Sequence, residues 1–333
     1  MKNDLHDTTW VVTGAAGFIG SHLCEELLRR GATVRGVDNL VTGHEANLQV
    51  LTAASPAHFS FHRATITDLH ALPRIFDGAD YVLHQAALGS VPRSLDNPVA
   101  SHEANVNGFM CVLDTARRAG VRRVVYASSS SVYGDSELLP KEEATIGRPL
   151  SPYAATKLID EIYAEIFTRS YGFETVGLRY FNVFGPRQDP NGAYAAVIPR
   201  WFQSLFRGEP VIINGDGATS RDFCFVANVV QANLKAAMAP LQPETPRVFN
   251  IAVGARTTLV QLFELIRHEV AKFFPGAQAA EPEFRDFRNG DVAHSHADIT
   301  RARRWLGYEP THTLPAGLKE AGEYYERVSR GDC

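Results

Sequence analysis

The chain lacks the features that bind nucleic acid, cross a membrane or build a disulfide scaffold. Its 33 Lys and Arg stand against 37 Asp and Glu, a formal net charge of -4. There is no basic excess to neutralise a run of phosphates, so nucleic acid is not an expected partner. Cysteine is scarce: Cys24, Cys111, Cys224 and Cys333 lie far apart without a CxxC pair. That spacing suggests neither a zinc ribbon nor a disulfide framework, and it suits a reducing cytoplasm. No apolar run reaches the length of a membrane span. The segment from Met1 to Trp10 is polar, unlike a secretion signal. What remains is 333 residues, 45% of them hydrophobic, enough to bury one large core or two smaller ones.

From Thr9 to about Val125, short β-branched or apolar runs alternate with longer helical patterns, the mark of a parallel sheet wrapped by helices. Strands are expected at Thr9 to Thr13, Thr33 to Asp38, His58 to Arg63, Tyr81 to Gln85, Val124 to Ser128 and Glu174 to Arg179. Helices are expected at Ile19 to Arg30, Asn105 to Ala119 and Tyr153 to Tyr171, the first two stopped by Gly31 and Gly120. The expected fold is a doubly wound α/β parallel sheet. After residue 181 the pattern turns irregular and rich in Gly, Pro and Asn. Residues 182–224 and 253–333 are therefore assigned to a smaller, interleaved substrate-binding lobe, with 1–181 and 225–252 forming the sheet domain.

Gly14, Gly17 and Gly20 directly follow an apolar strand, and with Phe18 and Ile19 they open a helix. Backbone amides and the helix amino terminus then face a pyrophosphate at close range, where a Cβ would intrude. Asp38, followed by Asn39, ends the second strand 18 residues beyond Gly20. A carboxylate there accepts both ribose hydroxyls of NAD and repels the extra phosphate of NADP; its plainer alternative is a solvated strand end. Tyr153 and Lys157 are four apart at a helix start, so both project from one face. A phenol is a poor base at neutral pH, but an adjacent ammonium and a positive nicotinamide ring favour its phenolate. Serines 128 to 131 end the fifth strand. His294 and His296 alternate without further ligands nearby, and no metal site is expected.

The GxxGxxG spacing, the serine run followed by Val132-Tyr133-Gly134, and the YxxxK pattern together resemble the extended short-chain dehydrogenase/reductase family, over nearly the whole chain. The resemblance implies a Rossmann sheet, NAD as cofactor and Ser129, Tyr153 and Lys157 as catalytic residues. It makes Ala86 and Ala87, in the run His84-Gln85-Ala86-Ala87, a nicotinamide-side wall; His84 itself reads as a packed strand histidine more readily than a catalytic one. Thr65 stands where relatives carry an Asp that meets adenine, so adenine recognition is weaker or differently made.

The resemblance is strongest to UDP-N-acetylglucosamine 4-epimerases of bacterial surface-polysaccharide pathways. It is carried by the run from His84 to Ser94 and by Arg187 to Pro199, while Tyr180 to Pro186, Ser220 to Phe223 and Phe287 to Asp291 resemble the UDP-sugar clamp of the extended branch. It implies a UDP-sugar site built from Gly89, Ser90, Ser130, Ser131, Asn182, Gln188, Ala196, Arg221, Arg288, Asp291 and Ser295. Two guanidiniums, Arg221 and Arg288, suit a diphosphate; the plainer alternative for either alone is a surface ion pair. A 4,6-dehydratase would carry an Asp-Glu pair beside the catalytic serine; here Ser130 and Ser131 follow Ser129, which suits epimerisation. Ser295 stands where glucose-restricted epimerases have a bulky tyrosine and so leaves room for a 2-acetamido group, unless it caps the following helix. UDP-glucose, UDP-glucuronate or UDP-N-acetylhexosaminuronate epimerisation and decarboxylation stay open, with Arg93, Arg187 or Arg200 as partners for a carboxylate. A catalytically silent NAD-binding regulator is disfavoured by the intact Ser129, Tyr153 and Lys157. A homodimer is implied through the helices around 101–119 and 153–170, whose apolar positions, among them Phe109, Val112, Leu113, Ile159, Ile162, Tyr163 and Ile166, read either as interface or as core.

Overall fold

The apolar runs of the first half pair into one parallel sheet, and their burial shows why they are apolar on both sides. In β1 (Thr9–Thr13) the last four residues are buried, because helices cover both faces of a central parallel strand. Side chains alternate, so Trp10 and Val12 enter one apolar cluster and Val11 the other. The structure is a computed structural model and describes residues 5–192, 195–287 and 294–331.

Along the chain, β1, β2 (Thr33–Asp38), β3 (Phe59–Arg63), β4 (Tyr81–His84), β5 (Arg123–Ser129) and β6 (Glu174–Tyr180) alternate with helices. These are α1 (Phe18–Arg29), α2 (Glu45–Ala54), α3 (Leu72–Phe76), α4 (Val91–Asp96), α5 (Pro98–His102), α6 (Gly108–Arg118) and α7 (Pro152–Tyr171). Then come β7 (Val183–Phe184), α8 (Val197–Phe206), β8 (Val211–Asn214), β9 (Ser220–Arg221), β10 (Cys224–Phe225), α9 (Val226–Met238) and β11 (Val248–Ile251). The chain ends through β12 (Thr257–Thr258), α10 (Leu259–Ala271), β13 (Pro282–Arg285), α11 (Thr300–Leu306) and α12 (Leu314–Arg330). The main sheet runs β3-β2-β1-β4-β5-β6-β11, all parallel. The expected doubly wound sheet is therefore present. Its order reverses between β1 and β4, which opens a crevice at their carboxyl ends, the place where this fold class takes ligands.

The helix expected from Asn105 begins differently. Residues Glu103–Asn107 form a π-wound turn before α6, and Asn105 uses that turn to reach two other segments, as described below. The helix α7 is bounded by its own sequence: Ser151 Oγ accepts Ala154 N at 3.1 Å, Pro152 occupies the first turn and Gly172 closes the end with φ +64°.

A separate apolar cluster, including Trp201, Phe202, Phe223, Phe263 and Leu318, fills the region built from β7, α8, β8, β10, α10 and α12. The stretch 297–308, counted with the second lobe from the sequence, packs Ala297, Ile299, Ala302, Leu306 and Tyr308 against the sheet instead. Phe109, Val112 and Leu113 are fully buried core residues, whereas Ile162 and Ile166 on α7 are 50% and 45% exposed. Among the described residues no helix is long and apolar enough to cross a membrane.

Candidate active site

The turn after β1 is packed so closely that two of its glycines have no room for a side chain. A Cβ on Gly20 would lie 2.0 Å from the Gly14 carbonyl oxygen, and one on Gly14, where φ is +72°, would lie 2.8 Å from Ala86 N. Gly17 caps α1 with no side-chain hydrogen bond, so the positive helix end keeps unsatisfied amides. Phe18 and Ile19 form its first turn, half-buried. Asp38 is buried at the end of β2; its carboxylate accepts Ala16 N at 3.0 Å and Leu40 N at 2.8 Å. Each oxygen keeps a second lone pair for a hydroxyl. An uncapped helix end beside a fixed carboxylate fits a pyrophosphate and a ribose diol, the two handles of a dinucleotide. Asn39 is exposed and accepts Val41 N at 3.1 Å; Thr65 is exposed with its hydroxyl 3.1 Å from that of Thr67. Ala86 and Ala87 are half-buried beyond the end of β4. His84 is buried, with Nδ1 2.8 Å from Thr13 Oγ1. Burial, and then the Lys157 charge, push its pKa down to about 3. It is a neutral packing residue.

Across the crevice, Ser129 ends β5 and caps the 3-10 turn of Ser130 and Ser131. Its Oγ accepts Ser131 N and donates to Ser131 Oγ, both at 3.1 Å. Tyr153 is half-buried in the first turn of α7, and its amide donates to Ser94 Oγ on α4 at 3.0 Å. One turn on, Lys157 is buried and donates to Asp160 Oδ2 at 3.2 Å. Beneath them Glu161 accepts Ser128 Oγ at 2.5 Å and Arg179 Nε and Nη2 at 2.9 and 2.7 Å, a buried bidentate pair that braces β5 and β6 against α7. The sequence reading missed Ser94, Asn105 and Asp160. Asp160 had a visible signal, an acid three residues after the lysine on the same helix; Asn105 and Ser94 act through long-range bonds with no local pattern.

On the substrate side a cavity of about 290 Å³ is lined by Asn182 and Arg221 together with Arg200, Arg285, Asn214 and Trp201. Asn182 has φ +33° and Ser90 has φ +95°, conformations that non-glycine residues rarely hold. Ser90 Oγ accepts Arg93 N at 3.4 Å at the start of α4, and the neighbouring Gly89 is exposed. Gln188 is half-buried and donates to Val183 O at 3.0 Å. Ala196 is exposed; the cavity wall is made by Ala195 and Val197 on either side of it. Ser295 N donates to Ser220 O at 3.0 Å, next to Arg221. The cap of α11 is Ile299, without a side-chain bond, so Ser295 is not a helix cap. Arg288 and Asp291 lie outside the described residues. Arg187 is paired with Glu25 at 2.8 Å. His294 Nδ1 is 2.8 Å from Ser220 Oγ, and among the described residues no group of three His, Cys, Asp or Glu could hold a metal.

Residues 10–252 match the NAD dependent epimerase/dehydratase family. A UDP-glucose 4-epimerase of Mycolicibacterium smegmatis is 37% identical over 96% of this chain and 99% of its own length. Among solved structures, the UDP-glucose 4-epimerase of Thermotoga maritima, with UDP-glucose, superposes with a TM-score of 0.88 at 37% identity, over 96% of this chain and 99% of that one. A UDP-N-acetylglucosamine 4-epimerase of Methanobrevibacter ruminantium, in complex with UDP-N-acetylmuramic acid, gives 0.89 at 35% identity, over 98% and 99%.

Proposed function

The chain belongs to the NAD-dependent epimerase/dehydratase family, and from that premise we propose that it interconverts UDP-hexoses differing at C4, preferring UDP-N-acetylglucosamine and UDP-N-acetylgalactosamine. It is an NAD-dependent UDP-sugar 4-epimerase, an isomerase. The amino terminus of α1 at Gly17 and the Asp38 carboxylate would hold the cofactor. NAD held there would supply reversible hydride acceptance at the sugar C4, which keeps the redox chemistry internal. Tyr153 removes the C4 hydroxyl proton and gives it back, Lys157 supplies the positive charge that favours the phenolate, and Ser129 hydrogen-bonds the reacting oxygen. Arg221 offsets the diphosphate charge.

The observation that carries this reading is α7 itself: Tyr153 at the crevice and the buried Lys157 one turn on, with Ser129 on the neighbouring strand end. The side chains after Ser129 are Ser130 and Ser131, which offer no acid–base pair for elimination at C5 and C6. Ser295, small and bonded alongside β9, supports room for the acetamido group. A second reading is favoured by Arg200, which lines the same cavity as Arg221 and would suit a uronate carboxylate.

Proton NMR of the purified protein with UDP-N-acetylglucosamine, UDP-glucose and UDP-glucuronate, each without added NAD, tests all of this. Fastest conversion of the acetamido sugar is expected. Conversion of the uronate alone would install the second reading, and no conversion even with added NAD would end the proposal. We further propose a homodimer in which α7 packs across a two-fold axis through Ile162 and Ile166, two exposed isoleucines on that helix. Light scattering should give a dimer for the wild type and a monomer for Ile162→Asp; a wild-type monomer at micromolar concentration would end this part.

A further inference from the structure

Tyr153, Lys157 and Asp160 stand at i, i+4 and i+7 of α7, a spacing that stacks them along one helix face. Lys157 and Asp160 are 2% and 1% exposed, and the ammonium donates to Oδ2 at 3.2 Å. The other carboxyl oxygen, Oδ1, is buried with no hydrogen-bond partner among the described residues. A half-satisfied buried ion pair is costly where an apolar side chain would pack without penalty. The reaction described above uses the cation and leaves the anion without a task.

The charged and titratable groups around Asp160 are Lys157 and Glu161 on its own helix, Tyr126 on β5, Arg179 on β6 and, beyond Lys157, His84 on β4. Glu161 is matched by Arg179 and Ser128. Tyr126 is fully buried, with its phenol held far above its usual range by burial and by Glu161 and Asp160. His84 is neutral. Among the described residues, Asp160 therefore acts on Lys157, and through it on the group one turn before.

We propose that Asp160 is a positioning residue for the epimerase reaction: ionised, it draws the Lys157 ammonium back along α7 and offsets the positive charge felt by Tyr153; neutral, it releases that charge to Tyr153. The inference rests on the reading of Tyr153 as the base. Burial pushes the Asp160 carboxyl up to about 6 despite the opposing pull of Lys157. As pH falls through that region Asp160 takes up a proton, and the freed ammonium then favours the phenolate that acid would otherwise remove. The consequence is a shallow acid limb in the pH profile of turnover.

The test uses the NAD-loaded enzyme and reads Tyr153 directly, by ultraviolet titration of tyrosinate in wild type, Asp160→Asn and Asp160→Ala, each corrected by its Tyr153→Phe counterpart. The alanine variant serves where the amide fails to pack. Both substitutions should lower the Tyr153 midpoint by about one pH unit, steepen the titration and move the acid limb of kcat by the same amount, with KM for the UDP-sugar changed less than about twofold. An unchanged midpoint with reduced kcat would show a merely structural role and overturn the proposal. An upward shift would overturn it too, since Asp160 would then be keeping Lys157 protonated rather than drawing its charge away. Turnover by Tyr153→Phe itself would sink the underlying reading of Tyr153, a result distinct from either of these.

Discussion

Asn105 Nδ2 donates to Thr156 Oγ1 at 3.0 Å, which joins the π-wound turn before α6 to the residue preceding Lys157. The same buried side chain accepts Leu88 N at 2.8 Å and donates to Leu88 O at 3.3 Å. One amide thereby fixes the segment after β4 against α7. Asn105→Ala removes the partner of Leu88 N and O and one of the two partners of Thr156 Oγ1, and a loss of about 1–2 kcal/mol is expected, measured by chemical denaturation. Because Lys157 is next in the chain, kcat should also fall roughly tenfold for loosened positioning. A variant with wild-type stability and turnover would mean that water replaces the amide without cost.

The two ends of the glycine turn should respond differently to the same methyl group. At Gly20 the added Cβ meets backbone at 2.0 Å, so α1 must leave β1 and folding itself should fail. At Gly17 the nearest atom is the Gly14 carbonyl oxygen at 3.2 Å, a contact that a small shift relieves. Gly17→Ala should therefore fold yet hold NAD roughly tenfold less tightly, since the methyl enters the approach to the helix end. Circular dichroism and cofactor content of the purified variants decide it; equal NAD content in Gly17→Ala and wild type would remove Gly17 from the cofactor site.

His84 makes stability pH-dependent, and the sign follows from its lowered pKa. Unfolded, the imidazole gains a proton below its ordinary value of 6.5; folded, it stays neutral down to about 3. Acid therefore favours the unfolded chain throughout that window, by about 2 kcal/mol at pH 5 for this group. His22, lowered to about 4, adds to the same trend, whereas Asp160 and Asp222, both raised to about 6, oppose it as pH falls from about 6 toward the ordinary carboxylate value. Those groups are common to wild type and His84→Gln, so the difference between the two isolates His84. Denaturation at pH 7.5 and pH 5 should show the wild type losing about 2 kcal/mol more than the variant; equal losses would contradict a neutral His84.

The sequence was most legible where chemistry is local. Strands β1 and β2 fall on the expected residues, β1 because a parallel strand covered on both faces buries nearly all of its side chains, and the glycine turn after β1 shows as spacing because the close backbone approach at Gly14 and Gly20 leaves no room for a Cβ. Long-range fixtures left no trace. The amide of Asn105 looks like any polar residue in a helix, and its partners are 17 and 51 positions away. Asp222 was read only within a substrate motif, yet its buried carboxylate accepts Val253 N, Gly254 N and Ala297 N, joining three segments far apart in the chain. The stretch 297–308 is similar: it looks irregular in sequence but packs on the sheet.

The proposed substrate preference rests on Ser295. Its amide bonds to Ser220 O, which sets it beside the strand that carries Arg221 into the cavity. A tyrosine there fills space that a 2-acetamido group needs and a 2-hydroxyl does not, and bulk against a rigid pocket discriminates by about 10- to 200-fold. Ser295→Tyr should lower kcat/KM for UDP-N-acetylglucosamine by about 100-fold while UDP-glucose stays within about tenfold of wild type, measured by NMR on both substrates with matched protein. A parallel fall on both sugars would mean that the ring disturbs β9 and the diphosphate site rather than the sugar pocket. Unchanged discrimination would mean that the acetamido group points elsewhere, and the preference would then have to be sought in the segment around Ser90, whose φ of +95° makes it a backbone outlier in the expected site.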